Sequence, residues 1–258
     1  MKAMHNRVII HLLAALLVSG CSSLTTPVSD QDPLEGVNRQ IHAFNTTTDK
    51  LILKPLATAY DATLPNELKT GVGNVFSNLA EVSNVANNLL QGKLERSARS
   101  LGRFGINSTY GLLGFIDLAT PMGLEPAKED LGQTLAVWGV PSGPYVVLPF
   151  FGPSNVRDAT ANIVAMTQLD EKDLFIDDDQ QTAATVLGVV HQRYRLLPTD
   201  ALMQAAAIDP YNYTKNSYTQ YRSSAINDAK RPMADAANEE KLFEQETEFN
   251  DSDLFGKE

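Results

Sequence analysis

The 258-residue sequence predicts an all-α fold, and three observations support this prediction. Through most of the chain, apolar residues recur every three or four positions, which is the spacing of one face of an α-helix. Alternation of apolar and polar residues, which indicates a half-buried strand, is nearly absent. Most prolines stand at the ends of the periodic segments, where helices are expected to begin or stop.

Residues 1–20 predict a signal peptide, which takes no part in the fold. Lys2 and Arg7 make the start of the chain positive, and Val8–Val18 is an apolar stretch interrupted only by His11. This succession of a basic and then an apolar segment is typical of secretory leaders.

The sequence LVSGC at Leu17–Cys21 resembles a bacterial lipobox. In that pattern the chain is cut before the cysteine, whose thiol is acylated, and Gly20 supplies the small residue needed before the cut. We therefore expect a lipidated Cys21 at the head of a polar tether, residues 21–32. Ser22 stands where aspartate usually signals retention in the inner membrane, so the periplasmic side of the outer membrane is favoured.

The composition argues against several classes of function. The formal net charge of −10 disfavours nucleic acid as a partner, and a single cysteine excludes an intrachain disulfide. Beyond the signal peptide only His42 and His191 remain, and no HExxH, CxxC, GxSxG or Walker A motif occurs. We therefore expect no enzymatic activity, no metal site and no cofactor. No later segment has the roughly 18 apolar residues of a spanning helix, so acyl chains are expected to attach the protein to the membrane.

The mature chain is predicted to consist of a helical domain, residues 33–232, and an acidic tail, residues 233–258. The tail is rich in acidic residues and its apolar residues are scattered, which favours disorder. A short amphipathic helix around residues 239–248 is the alternative.

The first helix of the domain is predicted to begin after Asp32-Pro33 and to end at Pro55. It places Val37, Ile41 and Phe44 on one face. The further predicted helices cover residues 65–79, 80–91, 93–107, 129–138, 154–168, 180–196, 199–207 and 210–229.

Two of these helices carry additional signals. Asn155 followed by Asp158 resembles an N-cap with an acid in the first turn. Tyr211, Tyr218 and Tyr221 recur at helical spacing in the last helix, which suits either a membrane interface or core packing.

Three arginines, Arg96, Arg99 and Arg103, fall on one side of the predicted helix over residues 93–107. Guanidinium groups recognise phosphate bidentately, so this face is a candidate for contact with phospholipid headgroups. A solvated face with a Glu95–Arg99 pair explains the same pattern.

The richest apolar run lies between glycine and proline breaks, in GPYVVLPFFGP. Pro149 lacks a backbone donor and argues against a central strand, so we predict a loop or hairpin suspended between two helices. Exposing this segment to water is costly. It must lie in a core, in lipid or along a lipid-lined passage, and the residues alone leave these three open.

The chain resembles the MlaA (VacJ) family of outer-membrane lipoproteins over residues 32–225. The resemblance implies a curved, ring-like all-α protein around an amphipathic channel, which removes mislocalised phospholipid from the outer leaflet. It implies three partners: phospholipid, a trimeric porin and a soluble periplasmic lipid carrier. The matching blocks are Asp32–Asn45, Asn88–Lys93, Arg103–Thr120, Glu129–Asp158 and Asp209–Arg222.

The resemblance also implies roles for particular residues. The apolar segment becomes a loop that lines or gates the channel, and its candidate residues are Gly139, Gly143, Pro144, Tyr145, Leu148, Pro149, Phe150, Phe151 and Gly152. The first helix, with Val37, Ile41, Phe44 and Asn45, is expected to shape the ring. The alternatives are a lipoprotein that braces porins without moving lipid, and an interaction factor at the cell surface.

Overall fold

The computed structural model describes residues 32–168, 178–206 and 209–230. The predicted signal peptide, Cys21 and the acidic tail lie outside the described residues. The prediction of an all-α fold is confirmed, with a short β-hairpin as an addition. The elements are α1 (Glu35–Thr48), a π-helix (Asp49–Leu53), α2 (Lys54–Thr63), α3 (Asn66–Leu90), α4 (Leu94–Thr109), a 3-10 turn (Thr120–Met122), α5 (Leu131–Val137), β1 (Tyr145–Leu148), β2 (Gly152–Asn155), α6 (Val156–Gln168), α7 (Asp178–Ala206) and α8 (Pro210–Lys230).

Pro55 does not end the first helix, contrary to the prediction. Helical backbone continues from α1 through the π-helix into α2, and Pro55 lies in the first turn of α2. The Lys54 amide donates to the Asp49 carbonyl, five residues back. Such a wide turn relieves the clash that a proline otherwise makes with the preceding turn.

Two further predicted breaks are absent. The sequence predicts separate helices over residues 65–79 and 80–91, but α3 is a single helix, since neither glycine nor proline occurs between Gly73 and its end. The helix α7 likewise runs through Pro198. Arg193 before the proline binds Asp200 after it, at 2.9 Å, which ties the two sides together.

The cap of α6 is confirmed. The Asn155 side chain accepts from the Asp158 amide at 2.9 Å, and the two side chains are joined at 2.7 Å. Helices α5 and α8 begin with the same kind of N-cap: the Asp130 carboxylate accepts from the Gln133 amide, and the Asp209 carboxylate accepts from the Tyr211 amide.

The hairpin β1–β2 is antiparallel, with Tyr145 opposite Asn155 and Leu148 opposite Gly152. Tyr145 and Val147 point inward and form an apolar cluster with Tyr211 of α8. Ile41 of α1 and Tyr218 of α8 pack against this cluster. The hairpin therefore lies between the first and last helices of the domain.

Elsewhere the helices pack in pairs. The most extensive contact between described elements joins α3 to α4; in addition, α2 packs on α7, and α5 contacts both α6 and α8. These pairs bring residues far apart in sequence into the polar clusters described next.

Candidate functional site

The distribution of polar and apolar side chains is inverted relative to an ordinary soluble protein. Among the described residues, the largest fully buried side chains are all polar: Glu81, Asn38, Asn88, Thr134, Asp32 and Ser100. Burial of such groups is costly unless each one is hydrogen-bonded. Five of these six side chains are hydrogen-bonded within the protein, and Ser100 is the exception among them, so polar networks hold this interior together.

The α3–α4 pair shows the inversion most clearly. Asn78 of α3 donates to Ser108 of α4 at 2.8 Å, and Ser97 of α4 donates to the Val85 carbonyl at 2.9 Å. On the outside of α4, Leu94 and Leu101 are exposed. The two helices thus meet through polar residues and turn leucines away from each other.

The Glu81 cluster (Glu81, Arg103, Asp117 and Thr120) lies in this interface. Arg103 is 2% exposed and donates to Glu81 at 2.7 Å, to Thr120 at 2.9 Å and to the Leu124 carbonyl. It also contacts Asp117 at 3.2 Å. Burial raises the pKa of Asp117, but hydrogen bonds from Thr120 and Asn107 and the charge of Arg103 outweigh this effect and lower the pKa to about 2.

The Glu129 cluster (Lys93, Arg96, Glu129 and Asp228) continues the polar interior. Lys93 donates to Glu129 at 2.7 Å, with both side chains almost fully buried. Arg96 lies 3.7 Å from Glu129 and donates to Asp228 at 2.9 Å. Gln91 donates to Glu129 at 3.0 Å. The acid is therefore surrounded by donors.

The Asp158 cluster (Asp130, Arg157, Asp158 and Arg222) joins α5, α6 and α8. Arg222 contacts Asp130 at 2.6 Å and Asp158 at 2.7 Å, and Arg157 donates to Asp158 at 2.9 Å. Burial raises the pKa of Asp158, but its partners Arg222 and Tyr218 outweigh this and lower it. Burial, with the hydrogen bond donated to Asp158, raises the pKa of Tyr218.

The three candidate headgroup arginines are not equivalent. Arg103 and Arg96 belong to the internal clusters, with side chains 3% and 15% exposed. Arg99 is more exposed and contacts Glu95 at 3.2 Å, which is the pair that the sequence allowed. The guanidinium of Arg103 is thus committed to partners within the protein.

The candidate gate residues form the hairpin and its approach. Phe150 and Phe151 at the tip are 71% and 66% exposed, whereas Leu148 and Pro149 are half-buried. Phe150 has φ +66°, a left-handed backbone that bulky residues rarely adopt. Gly139, Gly143, Pro144 and Gly152 complete the set: the first three are exposed, and all three glycines have positive φ.

Asn45 fixes the tip of the hairpin to α1. Its amide donates to the Leu148 carbonyl at 2.9 Å and accepts from the Phe150 amide at 2.8 Å. Phe44 packs edge to face on Phe150, with ring centroids 5.2 Å apart. These contacts hold the strained turn in place. Of the other candidates on α1, Ile41 packs on the apolar cluster and Val37 is half-buried.

The tyrosines and histidines fall mostly into packing roles. Tyr211 is buried and Tyr218 is half-buried, whereas Tyr221 is exposed. His191 is buried beside the Tyr60 hydroxyl, 3.1 Å away, and His42 packs edge to face on Tyr211. Within the described parts of the chain, no group of three or more His, Cys, Asp or Glu side chains could hold a metal ion.

The exterior is rich in apolar side chains. In the loop after α4, Leu112 and Leu113 have φ of 53° and 59° and are 69% and 77% exposed. The Gly114 amide donates to the Asn107 carbonyl at 2.8 Å, which maintains this turn. Across the described ranges, no helix combines the length and apolar character needed to cross a membrane. Other exposed apolar side chains are Leu51, Ile52, Leu56, Leu89, Leu94, Leu101, Tyr110, Met122 and Trp138.

Comparison with known proteins places the chain in a family. The model of the MlaA lipoprotein family matches residues 30–225. The chain belongs to the MlaA lipoprotein family. A curated MlaA relative from Escherichia coli K12, named as the intermembrane phospholipid transport system lipoprotein, is 31% identical over 219 residues, which cover 81% of this chain and 84% of that protein. An uncharacterised protein of Rickettsia typhi is 31% identical over 195 residues, which cover 76% of this chain and 78% of that protein.

A solved MlaA-like structure agrees with this assignment. It is described as the structural basis for maintenance of bacterial outer membrane lipid asymmetry, and it superposes with a TM-score of 0.67 at 31% identity. The match covers 76% of this chain and 98% of that one.

Sequence reasoning missed the buried polar residues of this MlaA family member. A signal for them exists on α3, where Asn74, Asn78, Glu81, Asn84 and Asn88 recur at helical spacing. Such a stripe is usually taken as the solvent face of an amphipathic helix. Here it is the buried face.

Proposed function

We propose that the protein is a lipoprotein of the outer membrane that removes mislocalised phospholipid from the outer leaflet through an amphipathic channel. It passes the lipid to a soluble periplasmic carrier and associates with a trimeric porin. Cys21 carries the acyl anchor. The observation that supports this most is the inverted polarity, since lipid is the surroundings in which an apolar exterior and a polar interior are both favourable.

The apolar exterior supports insertion among acyl chains. Fully burying a leucine side chain contributes roughly 1.5–3 kcal/mol. Leu51, Leu94 and Leu113 are each at least two-thirds exposed, so together they would contribute on the order of 4 kcal/mol when covered by lipid. Stable membrane anchoring usually takes two signals. In our proposal the acylated Cys21 is one signal and the apolar surface is the other.

The polar interior supports assembly of the helices within lipid. Helices that associate in lipid do so through small and polar side chains, as α3 and α4 do here. In our proposal the exposed Phe150 and Phe151 at the hairpin tip meet the acyl chains at the entrance of the channel. Of the three candidate arginines, Arg99 is the one that remains for headgroup contact.

Labelling of phospholipid at the cell surface tests this proposal. The gene is deleted, intact cells are treated with an amine-reactive reagent that does not cross the outer membrane, and labelled phosphatidylethanolamine is quantified. We expect an increase that the wild-type gene reverses and a Cys21→Ala variant does not. If labelling does not increase in cells with an intact outer membrane and no second pathway, the protein is instead a porin-bracing lipoprotein.

A further inference from the structure

Asp32, the last residue of the predicted tether, is among the most deeply buried of the described residues. Asp32 is 0% exposed, and its carboxylate accepts from the Tyr211 hydroxyl at 2.5 Å and from Lys215 at 3.2 Å. Both donors belong to α8. The carboxylate therefore joins the start of the domain to its last described helix.

A third donor extends this connection to the hairpin. The amide of Asn38, 2% exposed, donates to Asp32 at 3.2 Å and to the Tyr145 carbonyl at 3.0 Å. Its oxygen accepts from the Val147 amide at 2.9 Å. Asn38 thus satisfies two backbone groups on the free edge of β1, as a neighbouring strand would.

The hairpin depends on such support. A two-stranded hairpin is marginally stable on its own, and its outer edges carry unpaired backbone groups. Asn38 supports the base of β1, and Asn45, two turns further along α1, supports its end and the turn. Both asparagines use their side-chain amide in place of a third strand.

Asp32 provides the Asn38 amide with a second acceptor. The Asn38 nitrogen faces two acceptors, the Asp32 carboxylate and the Tyr145 carbonyl, while its oxygen faces the Val147 donor. The carbonyl of Tyr145 and the amide of Val147 exclude the reversed Asn38 amide, and the Asp32 carboxylate adds a further hydrogen bond on the nitrogen side. Hydrogen bonds to a charged group are also stronger than neutral ones.

We propose that Asp32 is a positioning residue for the hairpin: it holds Asn38 in place against β1 and fastens that contact to α8. Eleven residue steps separate Cys21 from Asp32, and an extended chain of that length spans at most about 40 Å. The predicted acyl anchor therefore stays within that distance of the hairpin base. The contacts that position the hairpin do not depend on a lipid ligand. Their consequence for lipid transport rests on the proposed function.

Hydrogen–deuterium exchange of the full-length protein in detergent micelles tests the coupling. We expect Asp32→Asn to accelerate exchange of the Val147 amide roughly tenfold, which corresponds to about 1.4 kcal/mol. Exchange within the α3–α4 pair should not change. The matched control is Asp209→Asn, which removes the ion pair between Arg39 of α1 and the N-cap of α8 and keeps an N-cap residue, but does not contact Asn38.

Two results overturn the proposal. One is unchanged exchange at Val147 in Asp32→Asn, and the other is an equal acceleration in Asp209→Asn, which would indicate general loosening of α8. If exchange in α3–α4 reveals that Asp32→Asn is unfolded, Tyr211→Phe replaces it, because this change removes only the hydroxyl donor. We expect about threefold faster exchange at Val147 in Tyr211→Phe, and no change would contradict the coupling.

Surface labelling separates this inference from the proposed function. If the hairpin loosens in Asp32→Asn while labelled phosphatidylethanolamine stays low, the coupling is supported. The same result contradicts a role of the hairpin in lipid passage. If labelling increases in cells whose protein carries Asp32→Asn, retains Cys21 and is present at normal levels, both the coupling and the proposed function are supported.

Discussion

Replacing Arg103 by methionine should destabilise the protein strongly, because it leaves Glu81 buried without its cation. Both side chains are nearly inaccessible, 3% and 1% exposed, and their closest atoms are 2.7 Å apart. Removing one partner of a buried ion pair costs about 3–5 kcal/mol, since the remaining charge is neither solvated nor compensated. We expect Arg103→Met to lower the free energy of unfolding by that amount.

The assay is denaturant unfolding of the full-length protein in a mild detergent, monitored by the circular dichroism of its helices. Arg99→Met is the matched control, since Arg99 lies on the same helix and pairs with Glu95 near the surface. Its loss should cost no more than about 0.5 kcal/mol. A double variant, Glu81→Leu with Arg103→Met, should recover about 2 kcal/mol of the single-variant loss, because no unpaired charge remains.

The outcome also distinguishes two roles for Arg103. If Arg103 bound headgroups and had no internal role, Arg103→Met would keep wild-type stability and lose only transport. A loss below about 1 kcal/mol, or a double variant no more stable than the single one, would refute the argument from buried charge.

Three further predictions concern the hairpin, the surface and the response to acid. Gly143→Val should increase surface phospholipid labelling at unchanged helical content, because Gly143 has φ +66° and an added Cβ would lie 3.1 Å from Val156. Gly139→Val is the control, since Gly139 has φ +91° but open space around it. Equal labelling in both variants would contradict a specific effect at Gly143. The fluorescence of Trp138, the single tryptophan and 56% exposed, should be quenched by vesicles of brominated phospholipid; unchanged emission would contradict insertion of this surface. Because the pKa of Asp117 is lowered from 3.8 to about 2 in the folded protein, its contribution to stability is complete above about pH 5 and is lost as the pH falls towards 2. That contribution is about 2 kcal/mol, and Asp117→Asn should remove it; a variant whose unfolding free energy falls as steeply with acid as the wild type's would contradict this.

The sequence was sufficient for the helical class and for the positions of most helix starts, because both depend on local signals. The Asn155 cap and the apolar hairpin between glycine and proline breaks are of this kind. The predictions of helix breaks at Pro55 and Pro198 were wrong. A π turn before Pro55 and an ion pair across Pro198 compensate for the disruption that each proline causes. Local propensity does not reveal such compensation.

The polar interior could not be assigned from periodicity alone. A helical stripe shows that two faces differ, but not which face is buried, and the usual choice is the apolar one. On α4 that choice fails: Leu94 and Leu101 are exposed while Ser100 and Arg103 are buried. The supports of the hairpin were equally hidden, since Asn38 and Asn45 contact residues more than a hundred positions away.

Positive and negative charges are matched in number within two of the clusters, each of which combines buried groups with one half-exposed aspartate. The Asp158 cluster holds two arginines and two aspartates, and the Glu129 cluster holds a lysine, an arginine and two acids. The field of a neutral cluster decays with distance faster than that of a single ion, so hydrocarbon nearby experiences opposed dipoles instead of a net charge. Transfer of an isolated ion into such a medium costs on the order of 20 kcal/mol, and cancellation avoids most of that cost. These two clusters therefore exert little long-range force within the proposed channel, whereas the Glu81 cluster, with one arginine and two acids, keeps a net negative charge.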